Sequence, residues 1–436
     1  MISLKLLSQG QKLKNLRTKL NLTQKDLVIE GVTREFICMV EKEKRHFSKA
    51  TAICFMQNII EYAKIKSIDM DLSFDEEYLS RTIKEDAEMY CKLSLEKSST
   101  MEEYLDILRI CNKYEIYNVM IMVYKKIGDK LLNETKAVEA YINYDKAIEI
   151  IDQNNITEHK ISILNNMGIC KLRLLQYNEA IYYFNKSMEL CNSMNDYKIY
   201  NKALYNRLLA CFSMEDISKS LKYIKESKDI ININNSRDIF MKILIIEAIC
   251  YKDIGNYSKC IEIYSDLTDK FDIEDKVILG NIYNNLAIAL FENKKYEESK
   301  AYFGKSKELR SVYDRLHLAR TFIHESIIYI NLEQYNDAID VLNKGLNLCN
   351  EYNDYEYLNK GYKYLEDIYK KQKDYNKLKE TYNNILHHAK INNNIKEEIY
   401  GLSNLIKLEI SLKNYEIIGE YIDKLNESID LVSNIL

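Results

Sequence analysis

Residues 283–306 read "YNNLAIALFENKKYEESKAYFGKS". The first part, up to Phe291, places apolar residues at helical spacing; "ENKK" interrupts it; a second helical pattern starts at Tyr296. Three residues after Tyr296 comes Ser299, a small residue that lets two helices approach closely, and one turn further on the same face comes Phe303. The signature recurs as "LQYNEA" ending at Ala180, "IGNYSKC" at Cys260, "LEQYNDA" at Ala338, "QKDYNKL" at Leu378 and "LKNYEII" at Ile418. Its tyrosines are Tyr177, Tyr257, Tyr296, Tyr335, Tyr375 and Tyr415, and Ala137 and Ile217 hold the same place in two further units. The spacing is 39 or 40 residues throughout, which makes eight units. The small position reads Ala180, Ser220, Cys260, Ser299, Ala338, and the position one turn on reads Phe184, Ile224, Tyr264, Phe303, Leu342. Leu378 and Ile418 break the small position in the last two units, and the final one has the character of a cap.

Composition agrees with an all-helical chain. There is no proline in 436 residues, where average usage gives roughly 20, and only 11 glycines. No apolar run reaches the roughly 18 residues of a membrane span, and the N-terminus lacks the apolar core of a signal peptide. Ten cysteines occur singly, with no CxxC pair, which fits reduced core thiols in a cytoplasmic protein and gives no zinc spacing. The sequence holds no GxGxxG, GxxxxGK[ST] or HExxH, and the adjacent His387 and His388 point to different helix faces. Neither an enzyme, a metal site nor a cofactor is expected.

The repeats resemble the tetratricopeptide repeat. The aromatic, Leu, small, Tyr, small, Phe, small pattern of 283–306 carries the likeness, as does "MGICKLRLLQYNEAIYYFNKS". The period departs from that family's usual 34. The expectation is an all-α chain in which a right-handed α-solenoid of about eight tetratricopeptide-like helix pairs lines a concave surface with its first helices.

The first 66 residues differ. They carry a net charge of +7, which leaves −11 for the remainder and points to an anionic partner for the first part alone. In "LTQKDLVIEGVTREFICMVEKEKR" (22–45), preceded by Leu13, Leu16 and Leu20 on one helical face, Thr23 is a candidate N-cap for a second helix. Gly31 sits in the break, and Thr33 can cap a third helix running through Arg45 with Ile37 and Val40 turned inward. The stretch resembles the Cro/C1-type helix-turn-helix through Arg17, "LTQ", Leu27, Ile37 and "VE" followed by basic residues. That resemblance implies a structural Arg17–Glu41 pair and a phosphate contact from Gln24, with Lys25 beside it. It places base reading at Thr33, Arg34, Glu35 and Met39, and Lys42, Lys44 and Arg45 near the backbone of double-stranded DNA. It departs from the family at Glu43, where a glycine is usual, at Phe47, where a proline is usual, and in having Gly31 one place early.

Together the two parts resemble the RRNPP family of cytoplasmic quorum-sensing regulators, and the composition is compatible with a clostridial member controlling toxin production and sporulation. The resemblance implies a homodimer, a short signalling peptide in the concave groove, and DNA binding that responds to it. The expected division is a DNA-binding domain at 1–66, an acidic linker and connecting helices at 67–120, and repeats at 121–436. Candidate peptide contacts are Asn165, Asn166, Asn206, Asn284, Asn285 and Asn404 on the first helices, whose carboxamides can clamp a peptide backbone, and Arg320 for a carboxylate. Each is open to a plain structural reading. A protein-interaction scaffold with a vestigial helix-turn-helix is the competing function.

Overall fold

A computed structural model describes residues 7–66, 75–194 and 197–433. Among these the chain is all-α, with 21 helices and, outside them, one isolated bridge between Ile29 and Val32. It divides into two compact units, Met1–Asp216 and Ile217–Leu436.

The first unit begins with α1 (Gln9–Lys19), α2 (Arg34–Glu41) and α3 (Lys49–Ile65). Leu13, Leu16, Ile37, Val40 and Phe55 are fully buried in their common core. Thr33 caps α2 as expected, its hydroxyl accepting from Phe36 N–H at 3.2 Å. Two expectations need correction. No second helix forms at Thr23; residues 24–27 make a single turn with Asp26 N–H on Thr23 O and Val28 N–H on Lys25 O. The Asp26 carboxylate accepts from the Thr23 N–H at 2.7 Å and hydroxyl at 2.6 Å, so the expected cap is instead a donor to its own neighbour. The helix from Thr33 also stops at Glu41 rather than Arg45. Glu43 takes φ +58, with Lys44 N–H bonded to Met39 O and Glu43 N–H to Val40 O. That is a left-handed termination at the position where the resembled family has its glycine.

Residues 75–82, read from the sequence as linker, are docked on this module. Leu79 is fully buried in its core. Lys12 on α1 is 2% exposed and donates to Tyr78 O (2.9 Å) and Arg81 O (2.8 Å) while pairing with Asp86. Arg81 in turn bonds Asp75 and Asp86, and Gln9 bonds Leu79 O. Asp86 lies in the first turn of α4 (Ile83–Lys97). From α4 the core runs on without a break through α5 (Met101–Tyr114), α6 (Tyr117–Asn133), α7 (Ala137–Gln153) and α8 (Lys160–Arg173). Helices α9 (Tyr177–Met194) and α10 (Tyr197–Ser213) complete the unit.

The second unit alternates in the same way: α11 (Ile217–Ile230), α12 (Ile233–Asp253), α13 (Tyr257–Lys270), α14 (Lys276–Glu292), α15 (Tyr296–Tyr313), α16 (Arg315–Asn331), α17 (Tyr335–Glu351), α18 (Tyr355–Gln372), α19 (Tyr375–Ile391), α20 (Ile395–Ser411) and α21 (Ile418–Ser433). In both units the signature residue opens the second helix of its pair, except in the last, where Tyr415 sits in a turn and the helix starts at Ile418. Ala180, Ser220, Cys260, Ser299 and Ala338 are all fully buried, so the small position is a helix-crossing point. Where a glycine faces the following aromatic the approach is tighter still. A Cβ on Gly168 would lie 2.5 Å from the Phe184 ring, and one on Gly128 2.6 Å from the Tyr144 ring.

Each turn within a pair uses one left-handed residue, two places before the signature position: Thr135, Leu175, Glu215, Gly255, Lys294, Glu333, Lys373 and Lys413. Only one of these is glycine, and an L side chain there is strained. Leu175 has φ +60 and is 69% exposed, so its side chain packs little. Leu175→Gly is therefore expected to raise stability by up to about 1 kcal/mol, read as a higher midpoint in thermal unfolding. An unchanged or lower midpoint would show that the turn is not strained.

Candidate functional site

On the N-terminal module, Glu41 organises the surface. Its carboxylate accepts from Arg17 Nε at 2.7 Å, Arg17 Nη2 at 3.4 Å and Gln24 Nε2 at 2.6 Å. The pair implied by the resemblance thus forms, and it joins α1, the 24–27 turn and α2. Gln24 spends a donor internally. Lys25, Thr33, Arg34, Glu35, Lys42, Lys44 and Arg45 are exposed, and Met39 is half-buried. Thr33, Arg34 and Glu35 stand at the start of α2; Lys42, Lys44 and Arg45 follow its end. Hydrogen bonds from its own backbone N–H and from Thr33 hold the Glu35 carboxyl below the usual range, so it is ionised at neutral pH.

The asparagines on the repeat helices divide into several environments. In the first unit Asn166 donates to Asp129 Oδ1 (2.9 Å) and reaches the Tyr144 hydroxyl (3.3 Å), which itself donates to Asp129 (2.6 Å). Asn206 on α10 bonds Asn165 on α8 at 3.3 Å, and Asn165 is 6% exposed. In the second unit Asn285 donates to the Tyr264 hydroxyl at 3.3 Å. Asn404 donates to Tyr400 O within its own helix, and Arg320 pairs with Asp354 at 2.8 Å while lying 4.6 Å above the Tyr357 ring. These donors are engaged inside the protein. Asn166 and Asn285 share a device: the tyrosine eight places into the preceding second helix receives the amide.

A polar row crosses α14, α16 and α18. Asn284, 4% exposed, lies 3.5 Å from His324 Nδ1, and His324 Nε2 lies 3.3 Å from the Tyr357 hydroxyl. The Lys360 ammonium sits 5.2 Å from the Tyr357 ring centre. Burial first, then the positive charges of Lys360, Arg310, Lys252 and Arg320, hold the His324 imidazole well below the ordinary range, so it is neutral at physiological pH. Sequence reasoning missed His324, Tyr357 and Lys360. A signal existed for His324: it stands eleven residues before its signature tyrosine, the register of Asn166, Asn206, Asn285 and Asn404.

Residues 279–351, from α14 to the end of α17, match the tetratricopeptide repeat family model. Comparison with curated proteins gives no match. Among solved structures, the chain is similar to the apo form of the quorum sensor NprR from B. thuringiensis, at 16% identity over 96% of this chain and 97% of that one, with a TM-score of 0.41. A second is the STAND protein PH0952 from Pyrococcus horikoshii, which has a tetratricopeptide repeat sensor, at 13% identity over 99% of this chain and 74% of that one, with a TM-score of 0.53. A third is the apo form of RapI, at 13% identity over 72% of this chain and 99% of that one, with a TM-score of 0.36. The fold is that of a tetratricopeptide-type helical-repeat protein. Among the described residues no helix is long and apolar enough to cross a membrane.

Proposed function

We propose that the chain is a DNA-binding transcription regulator, working as a homodimer, whose helical repeats bind a short peptide that controls DNA binding. The observation that carries this reading is the arrangement around Glu41. A buried carboxylate ties α1, the 24–27 turn and α2 together, and leaves Arg34 and Glu35 exposed at the start of α2 with three basic residues beyond its end. That is the form of a recognition helix presented end-on to a major groove. Arg34 is suited to a bidentate contact with guanine, and Lys42, Lys44 and Arg45 to phosphates. One such module reads a short half-site, which favours two-fold pairing.

The Lys12–Asp86 latch gives the repeats a mechanical hold on the reader. Ligand binding that shifts α4 would move α1 with it, because Lys12 is tied to Tyr78, Arg81 and Asp86 at once.

Selection from randomised duplex DNA with the purified chain tests the reading. Arg34→Ala should weaken the selected site by roughly tenfold or more and relax preference at one or two positions. Lys44→Ala should weaken all sequences alike and flatten the salt dependence. If the two variants behave identically, or no sequence is enriched, the recognition role of α2 fails and the scaffold function takes its place.

A further inference from the structure

The polar row of the second unit is flanked by cations that have little to neutralise them. Lys360 on α18 is half-buried, and among the described residues no carboxylate stands within ion-pair distance of it. Glu356, one turn away, acts on it only through space. Lys252, at the end of α12, is half-buried and its carboxylate neighbour is the adjacent, exposed Asp253 at 3.3 Å. The two lysines come from helices three pairs apart in sequence, yet the charge of Lys252 is felt at both Lys360 and His324. They therefore face a common space whose floor is Asn284, His324 and Tyr357. Like charges are brought together there in a partly dry setting, an arrangement that costs free energy unless an anion joins it.

A second observation adjoins the first. Lys360 also lines a cleft of about 520 Å³ between α18 and α20, with Asn359, Lys363 and Glu397. Asn359 is 8% exposed and its Oδ1 is buried without a hydrogen-bond partner. A buried amide oxygen of this kind lacks a donor, and a peptide N–H would supply one.

We propose that Lys252 and Lys360 form a carboxylate-recognition subsite over Asn284, His324 and Tyr357, so that the ligand is a peptide held by a carboxylate, with its backbone running towards Asn359. This rests on the peptide-binding reading above and names the class of peptide. His324, neutral, serves as a polar contact rather than as a third cation. The carboxylate is either the peptide's C-terminus or an acidic side chain.

The test uses the immobilised full-length chain and three pools of synthetic random heptapeptides. One lacks Asp and Glu and has a free C-terminus; the second is the same pool amidated; the third is amidated but contains Asp and Glu. Bound peptides are identified by mass spectrometry. Capture from the first or third pool should exceed capture from the second by about tenfold or more, the size of a charge-assisted contact. The first pool leading identifies a terminal carboxylate, and the third a side chain. Lys252→Gln with Lys360→Gln should erase the preference, and Lys252→Arg with Lys360→Arg should keep it, which excludes a general loss of fold. Equal capture from all pools, or a preference untouched by the glutamine variants, overturns the subsite and leaves peptide binding standing. Capture from none of the pools overturns peptide binding and the subsite with it.

Discussion

Asp86→Ala is expected to destabilise the N-terminal module by about 3 kcal/mol, because it strips the carboxylate from two cations at once. Lys12 is 2% exposed and keeps only the carbonyls of Tyr78 and Arg81; Arg81 keeps only Asp75. Neutral carbonyls do not replace a carboxylate for a buried ammonium, whose burial already lowers its affinity for a proton. The loss should be local. Amide hydrogen exchange in α1 and α2 should quicken by roughly a hundredfold, while exchange in α14 to α17 should not change. Asp86→Asn, which keeps an acceptor in place, should cost less. If α1 is as protected in Asp86→Ala as in the wild type, residues 75–86 do not hold the module, and the mechanical route from repeats to reader is lost with them.

Glu41→Ala is expected to cost about 2 kcal/mol and to lower DNA affinity more than tenfold, although the Glu41 side chain is turned inward. Its carboxylate is 7% exposed and serves Arg17 and Gln24. Without it the half-buried Arg17 guanidinium keeps Leu22 O at 3.2 Å and no anion, and the 24–27 turn loses its tie to α2. Positioning fails before any contact does, so the loss should fall on all duplex sequences bound through α2. Fluorescence anisotropy with a selected duplex, beside a thermal melt, separates the two effects. Glu41→Gln retains acceptors for Arg17 and should recover part of the stability. Full DNA affinity in Glu41→Ala would mean that α2 does not need this brace to read DNA.

The repeats were legible because their register depends on residues close in sequence. Ala180, Ser220, Cys260, Ser299 and Ala338 lie three places after the signature position, and all are fully buried. The N-terminal module was legible in its cap at Thr33, its inward Ile37 and Val40, and the Arg17–Glu41 pair. Its second helix was not, because Asp26 competes for Thr23 within a few residues and a short polar segment has no apolar face to decide the contest. The docking of residues 75–82 was hidden for a different reason. Nothing at Lys12 itself announces that its ammonium will be buried; its acceptors are carbonyls at Tyr78 and Arg81, supplied by tertiary structure. The asparagine row was half legible. Register picked out Asn166 and Asn285, but their tyrosine partners Tyr144 and Tyr264 stand on the helix before, and His324 occupies the same register in another residue type.

The central claim is that the N-terminal module reads DNA. It is tested most directly by sequencing the DNA crosslinked to the protein in its own cells, wild type beside Arg34→Ala, with and without added culture supernatant. A two-fold motif enriched by the wild type and lost in Arg34→Ala is the expected result. The same absence of any motif in both proteins, with supernatant present as well as without it, would contradict it.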